Sequence, residues 1–84
     1  MSEERKRIQR VQTGVRIEKG VLKVLKALAE YLEMSLGDLL EGIVLHTFEG
    51  KTPFTPETLA VIERLKQLYG LELTAEDSHR LTEG

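Results

Sequence analysis

The stretch Arg10-Val11-Gln12-Thr13-Gly14-Val15-Arg16-Ile17 decides how this chain is read. On an extended backbone Val11, Thr13, Val15 and Ile17 fall on one side, and Arg10, Gln12, Gly14 and Arg16 on the other. Alternation with a period of two, and β-branched residues on one face, predicts a half-buried strand. Gly14 weakens that strand by about 0.5–1 kcal/mol, because it brings extra chain entropy and no side chain to pack.

Downstream of this stretch the periodicity changes to three and four. Val21, Leu22, Leu25, Leu28, Ala29 and Leu32 predict a helix from Glu18 or Lys19 to Glu33, with Lys23, Lys26, Glu30 and Glu33 off the apolar stripe. Val24 and Tyr31 widen that stripe enough for packing on two sides. Ser35 is an N-cap with Asp38 in the reciprocal capping position, and opens a second helix. This helix runs through Leu39, Leu40, Ile43, Val44 and His46 to about Phe48, with Gly50 to end it. Its interior Gly42 is unfavourable unless a neighbouring helix comes close. Residues 51–54 read as a linker. Thr55-Pro56-Glu57 combines a Thr cap, Pro at the first helical position and an acidic first turn, so a third helix starts there. Leu59, Val61, Ile62, Leu65, Leu68 and Tyr69 follow, and Gly70 stops it. Leu71 and Leu73 flank an extended step, and Thr74 with Asp77 predicts a last short helix through Leu81.

A lone strand leaves its backbone N–H and C=O groups without ladder partners, and everything after it reads as helix. The expected solution is a second copy of the same strand, antiparallel across a two-fold axis. Val11, Thr13, Val15 and Ile17 of both copies would then cover a shared core with Leu25, Leu28, Leu32, Leu40 and Ile43. The opposite face would be polar, and a two-stranded ribbon fits the major groove of DNA. The expected class is therefore mainly α with one short β-strand, an intertwined homodimer with a helical C-terminal extension over 51–84. Residues 1–9 form a basic arm before the dimerising unit at 10–50.

Length and composition agree with an oligomer. Eighty-four residues make one small domain with a marginal core. The absence of cysteine excludes disulfides and thiolate metal sites, and two histidines argue against a structural zinc. Association is the remaining common source of extra stability. No apolar run approaches the ~20 residues of a membrane helix, and no apolar stretch follows the charged start. The expectation is a cytoplasmic chain, nucleoid-associated when bound to DNA.

The total of 12 basic and 14 acidic residues hides a strong asymmetry. Residues 1–26 hold eight basic against three acidic residues, a local charge of +5, while the rest holds four against eleven, or −7. Such a split points to nucleic acid or membrane contact by the basic part; a solvated basic tail is the bland alternative.

In its order of elements and its apolar spacing, the chain resembles the ribbon-helix-helix (Arc/MetJ-type) DNA-binding family. The resemblance covers about residues 9–48 and rests on the strand Val11–Ile17, the helix Val21–Glu33 and the turn Met34-Ser35-Leu36-Gly37-Asp38. It implies a homodimeric transcriptional regulator, a repressor by expectation, that places Gln12, Gly14 and Arg16 against base edges. It also implies a phosphate clamp at Ser35 and at the backbone of Leu36 and Gly37. Two positions depart from the family pattern: Gly14 has no side chain to read a base, and Asp38 and Glu41 make the second helix acidic early on.

Chemistry supports the same residues independently. Arg16 suits guanine and Gln12 adenine, each at about 1–3 kcal/mol of discrimination, although both also suit a solvated strand. Arg5, Lys6, Arg7 and Arg10 suit phosphate tracking, or equally a solubilising arm. Lys19, Lys23 and Lys26 read as a solvated helix face. His46 with Glu49, and His79 with Glu76 and Asp77, do not make a metal ligand set, and the contiguous Asp77-Ser78-His79 cannot form a triad. No enzyme activity and no cofactor are expected. The alternative function is an antitoxin-like or protein-interaction module that dimerises through 10–50 and offers residues 55–81 to a protein partner.

Overall fold

The computed structural model describes residues 5–84, so the first four residues of the predicted arm lie outside the described residues. Three α-helices of equal length follow an N-terminal segment: α1 Lys19–Tyr31, α2 Leu36–Phe48 and α3 Pro56–Leu68. A single 3-10 turn, Ala75–Asp77, comes last.

Each helix begins where a side chain satisfies a free backbone amide. The Glu18 carboxylate accepts from the Val21 N–H at 2.9 Å, the Ser35 hydroxyl from Asp38 at 3.1 Å, and the Thr55 hydroxyl from Thr58 at 3.2 Å. All three end in one pattern, the Schellman motif, which needs a left-handed residue after the cap. In α2 the Lys51 N–H donates to the His46 carbonyl at 2.8 Å, around Gly50 at φ 70°. In α3 the Leu71 N–H donates to Lys66 at 2.8 Å, around Gly70 at φ 67°. In α1 the Met34 N–H donates to Ala29 at 3.0 Å, and the left-handed residue is Glu33 at φ 57°. The Thr74–Asp77 capping box is present, yet it supports only the 3-10 turn, so the short helix predicted to reach Leu81 is not formed.

The predicted strand, and with it the ribbon-helix-helix class, is overturned: there is no β-strand among the described residues, and residues 5–18 have no regular secondary structure. The molecule is an all-α, three-helix unit. The alternating side chains of the N-terminal segment do not make a half-buried face. Val11 is 79% exposed, Thr13 and Val15 are exposed as well, and only Ile17 is partly covered. The physical reason is the one that made the strand conspicuous: among the described residues no other backbone segment pairs with it to complete a ladder.

Helix α1 is the centre of the fold and packs against both α2 and α3, whose backbones do not approach each other. Leu28, Ala29 and Leu39 form the buried cluster, with Leu28 only 2% exposed. Leu25 and Leu32 of α1, Ile43 of α2, Phe54 of the linker, and Val61, Ile62 and Leu65 of α3 close around it. Of the residues predicted for a shared dimer core, Leu25, Leu28, Leu32 and Ile43 therefore lie within the core of one chain. Leu40 is half-buried, and Val11, Thr13 and Val15 are outside it. After α3 the chain folds back beside the start of α1, where Gly20 lets Leu71 come close: a Cβ there would sit 3.3 Å from Leu71 Cδ1. Leu71, Leu73 and Leu81 line an apolar cavity of about 430 Å³ with Val21, Val24 and Leu25.

Much apolar surface stays outside this core. The chain exposes 7869 Å², whereas a compact monomer of its mass exposes roughly 5,000 Å². Its radius of gyration is 14.7 Å, against about 12 Å for a compact domain of this length. The clearest exposed feature is on α2, where Leu36, Leu40, Val44 and Phe48 recur every four residues and form one ridge. It turns away from the core as it ascends: Leu36 and Leu40 are half-buried, Val44 is 42% and Phe48 79% exposed. No helix among the described residues is long and apolar enough to cross a membrane.

Candidate nucleic-acid interface

The N-terminal segment runs past the start of α2. Ile8, Arg10, Val11 and Thr13 line one side of a groove of about 720 Å³, and Ser35, Gly37, Asp38 and Glu41 line the other. Three of the predicted phosphate contacts, Arg10, Ser35 and Gly37, are thus brought together. Leu36 and Gly37 occupy the first two positions of α2, where backbone amides have no carbonyl within the helix to bond. Ser35 Oγ already accepts from Asp38 N–H, but its own proton is still available to an acceptor.

The charge in this groove is not what the phosphate expectation needs. Arg10 is held by carboxylates of α2: Nε donates to Glu41 Oε2 at 2.9 Å, and Nη2 donates to Glu41 Oε1 at 2.9 Å and to Asp38 Oδ1 at 3.5 Å. The two-point fork to Glu41 is the geometry in which guanidinium and carboxylate fit best. The hydrogen bond to Glu41, and then its negative charge, raise the Arg10 pKa; the same hydrogen bond from Arg10 pulls the Glu41 carboxyl below its ordinary value.

Arg16, predicted to read guanine, is in a similar position, since its Nη2 is paired with Glu83 near the C-terminus. Gln12 is exposed, and Gly14 faces open space with nothing within 4 Å of a would-be Cβ. The predicted base-reading positions do not share a surface with the groove at α2: Gln12, Gly14 and Arg16 are absent from its walls.

The lysines read from the sequence as a solvated helix face do have exposed side chains. Lys19, Lys23 and Lys26 are all exposed, and their spacing of four and three residues puts them in one row on the outer side of α1, about 10 Å long. The ion pairs among the described residues involve Arg10, Arg16 and Lys51, the last with Glu49, and none involves these three. Arg5, Lys6 and Arg7 are likewise exposed and outside every such pair. Two of the arginines expected at DNA thus face carboxylates; among the described residues the basic side chains outside every ion pair are Arg5, Lys6 and Arg7, the three lysines of α1, and Arg64, Lys66 and Arg80. One signal for this was in the sequence: Asp38 and Glu41, three apart on a helix, form an acidic pair facing the same way.

No group of three potential metal ligands gathers at one point among the described residues. His46 donates through Nδ1 to the Gly42 carbonyl at 2.7 Å, a contact within α2. No family model, curated protein or solved structure matches the chain.

Proposed function

We propose that this protein binds double-stranded DNA as a homodimer and regulates transcription. Phosphates are contacted by the lysine row of α1 and by Arg5, Lys6 and Arg7. The observation that carries this reading is the concentration of basic residues in the first 26 positions of a chain whose total is −2, with Lys19, Lys23 and Lys26 exposed in one row. Lysines on a helix face are point charges suited to a phosphate backbone, and affinity then comes from released counterions. The homodimer rests on the apolar α2 ridge, whose Val44 and Phe48 are left 42% and 79% exposed by the single chain.

Fluorescence anisotropy of a labelled duplex between 50 and 200 mM salt tests the DNA reading. Binding is expected to weaken linearly on logarithmic axes, by about 0.9 in slope for each phosphate neutralised. Replacing Lys19, Lys23 and Lys26 together by Ala lowers the magnitude of that slope by roughly two to three per chain. Absence of salt-dependent binding by wild type, or an unchanged slope in the triple variant, refutes it. The competing expectation, a C-terminal helix given to a protein partner, draws less support, because Val61, Ile62 and Leu65 of α3 already pack against the core.

A further inference from the structure

We propose that Glu41, assisted by Asp38, is an internal competitor for nucleic acid: it occupies Arg10 in place of a phosphate and so sets the affinity of the chain. This rests on the DNA reading above and names a control on it. Arg10 and Glu41 come from segments 31 residues apart in sequence, so the contact is a tertiary one. It lies beside Ser35, Gly37 and the first amides of α2, the donors that a phosphate would meet in the same groove. A carboxylate that accepts two parallel N–H bonds from guanidinium presents the same acceptor geometry as two phosphate oxygens. The contact is also open to water on both sides, with the Arg10 and Glu41 side chains 61% and 45% exposed. Exposed to solvent, the pair is screened by salt and its guanidinium is reachable, so a polyanion can compete for Arg10. While the pair is closed, Arg10 contributes no net positive charge to the groove. Once it opens, Arg10 swings to phosphate and leaves Glu41 facing solvent.

The test is a double-mutant cycle on duplex binding at fixed salt, using wild type, Glu41→Gln, Arg10→Ala and the double variant, each verified as folded by circular dichroism. Glu41→Gln keeps the shape and removes the charge, so Arg10 is released. Its affinity is expected to rise roughly three- to ten-fold, and its salt dependence to steepen by about 0.9 per chain as one more phosphate is neutralised. In the Arg10→Ala background the same Glu41→Gln change is expected to give less than about half of that gain on a logarithmic scale, and no steeper slope. Asp38→Asn, at the longer 3.5 Å contact, gives a smaller gain than Glu41→Gln. An equal gain in both backgrounds means that Glu41 only repels DNA, and overturns the competitor. No gain while wild type still binds overturns it too. If neither wild type nor Glu41→Gln binds duplex at low salt, the DNA reading itself fails, a pattern distinct from both.

Discussion

Glu33 holds a left-handed backbone, φ 57°, at a position where α2 and α3 both use glycine. The Cβ of an L-residue crowds the following carbonyl there, at about 1–2 kcal/mol. Glycine removes that crowding but loosens the unfolded chain by about 0.4–1 kcal/mol, so Glu33→Gly is expected to stabilise by up to about 1 kcal/mol. Urea denaturation measures it, and a destabilised variant would mean that the Glu33 side chain has a further role. A second consequence concerns acid. Backbone N–H groups of Val21, and then Gly20, lower the Glu18 pKa, as the hydrogen bond from Arg10 lowers that of Glu41. A carboxyl with a depressed pKa in the fold binds its proton more weakly there than in the unfolded chain. Both groups therefore contribute fully above their ordinary value near 4.5, and that contribution is lost as pH falls below it. Melting temperature is expected to decline from pH 5 towards pH 3, and the decline to be shallower in Glu41→Gln. Equal slopes in the two proteins would show that the Arg10 contact adds nothing to stability. The role of Arg10 was only half legible in the sequence: Asp38 and Glu41 mark an acidic pair on α2, but local pattern does not say that an arginine 31 residues before Glu41 comes to meet it.

The helices themselves were legible because their ends are written in short-range chemistry. Ser35, Thr55-Pro56, Gly50 and Gly70 fix where α2 and α3 start and stop, and the apolar spacing of α1 identifies the residues at its centre. The N-terminal segment was misread for a definite reason. Val11, Thr13, Val15 and Ile17 state a preference for an extended, one-sided surface, but a strand exists only where a second backbone supplies the ladder. Side-chain alternation carries no information about whether that backbone is present. In α2, Gly42 has nothing within 4 Å of its would-be Cβ. With open space and helical dihedrals, Gly42→Ala is expected to stabilise by about 1 kcal/mol, seen as a higher urea midpoint. Gly42 lies on a different side of α2 from the Leu36–Leu40–Val44–Phe48 ridge, so this change should leave self-association unaltered. A destabilised Gly42→Ala would mean that another helix approaches α2 on the glycine side.

For the molecule as a whole, the small buried cluster and the large exposed surface tie folding to the proposed association. Among the described residues four apolar side chains are buried, Val24, Leu28, Ala29 and Leu39, which is a small core. Covering the α2 ridge with a second copy supplies apolar burial at about 25 cal/mol per Å². Melting temperature is therefore expected to rise with protein concentration. Val44→Asp, which puts a charge on the ridge without touching the intrachain core, is expected to shift sedimentation from dimer to monomer and abolish that dependence. A concentration-independent melt together with a monomeric mass for wild type would refute the homodimer. The lysine row on α1 lies on the opposite side of the fold's central helix from the core, so Val44→Asp tests association without altering the charges assigned to DNA.

That α1 alone touches both other helices also bears on how the chain reaches its native state. Docking α3 onto α1 closes a long loop containing all of α2, whereas α1 and α2 are joined by only a few residues, so the first pairing is entropically cheaper. A transition state built around the α1–α2 hairpin follows. Truncation at Leu28 or Leu39 is then expected to slow refolding in stopped-flow experiments, while Ile62→Ala in α3 chiefly accelerates unfolding. Refolding slowed as much by Ile62→Ala as by Leu28→Ala would place the nucleus across all three helices instead.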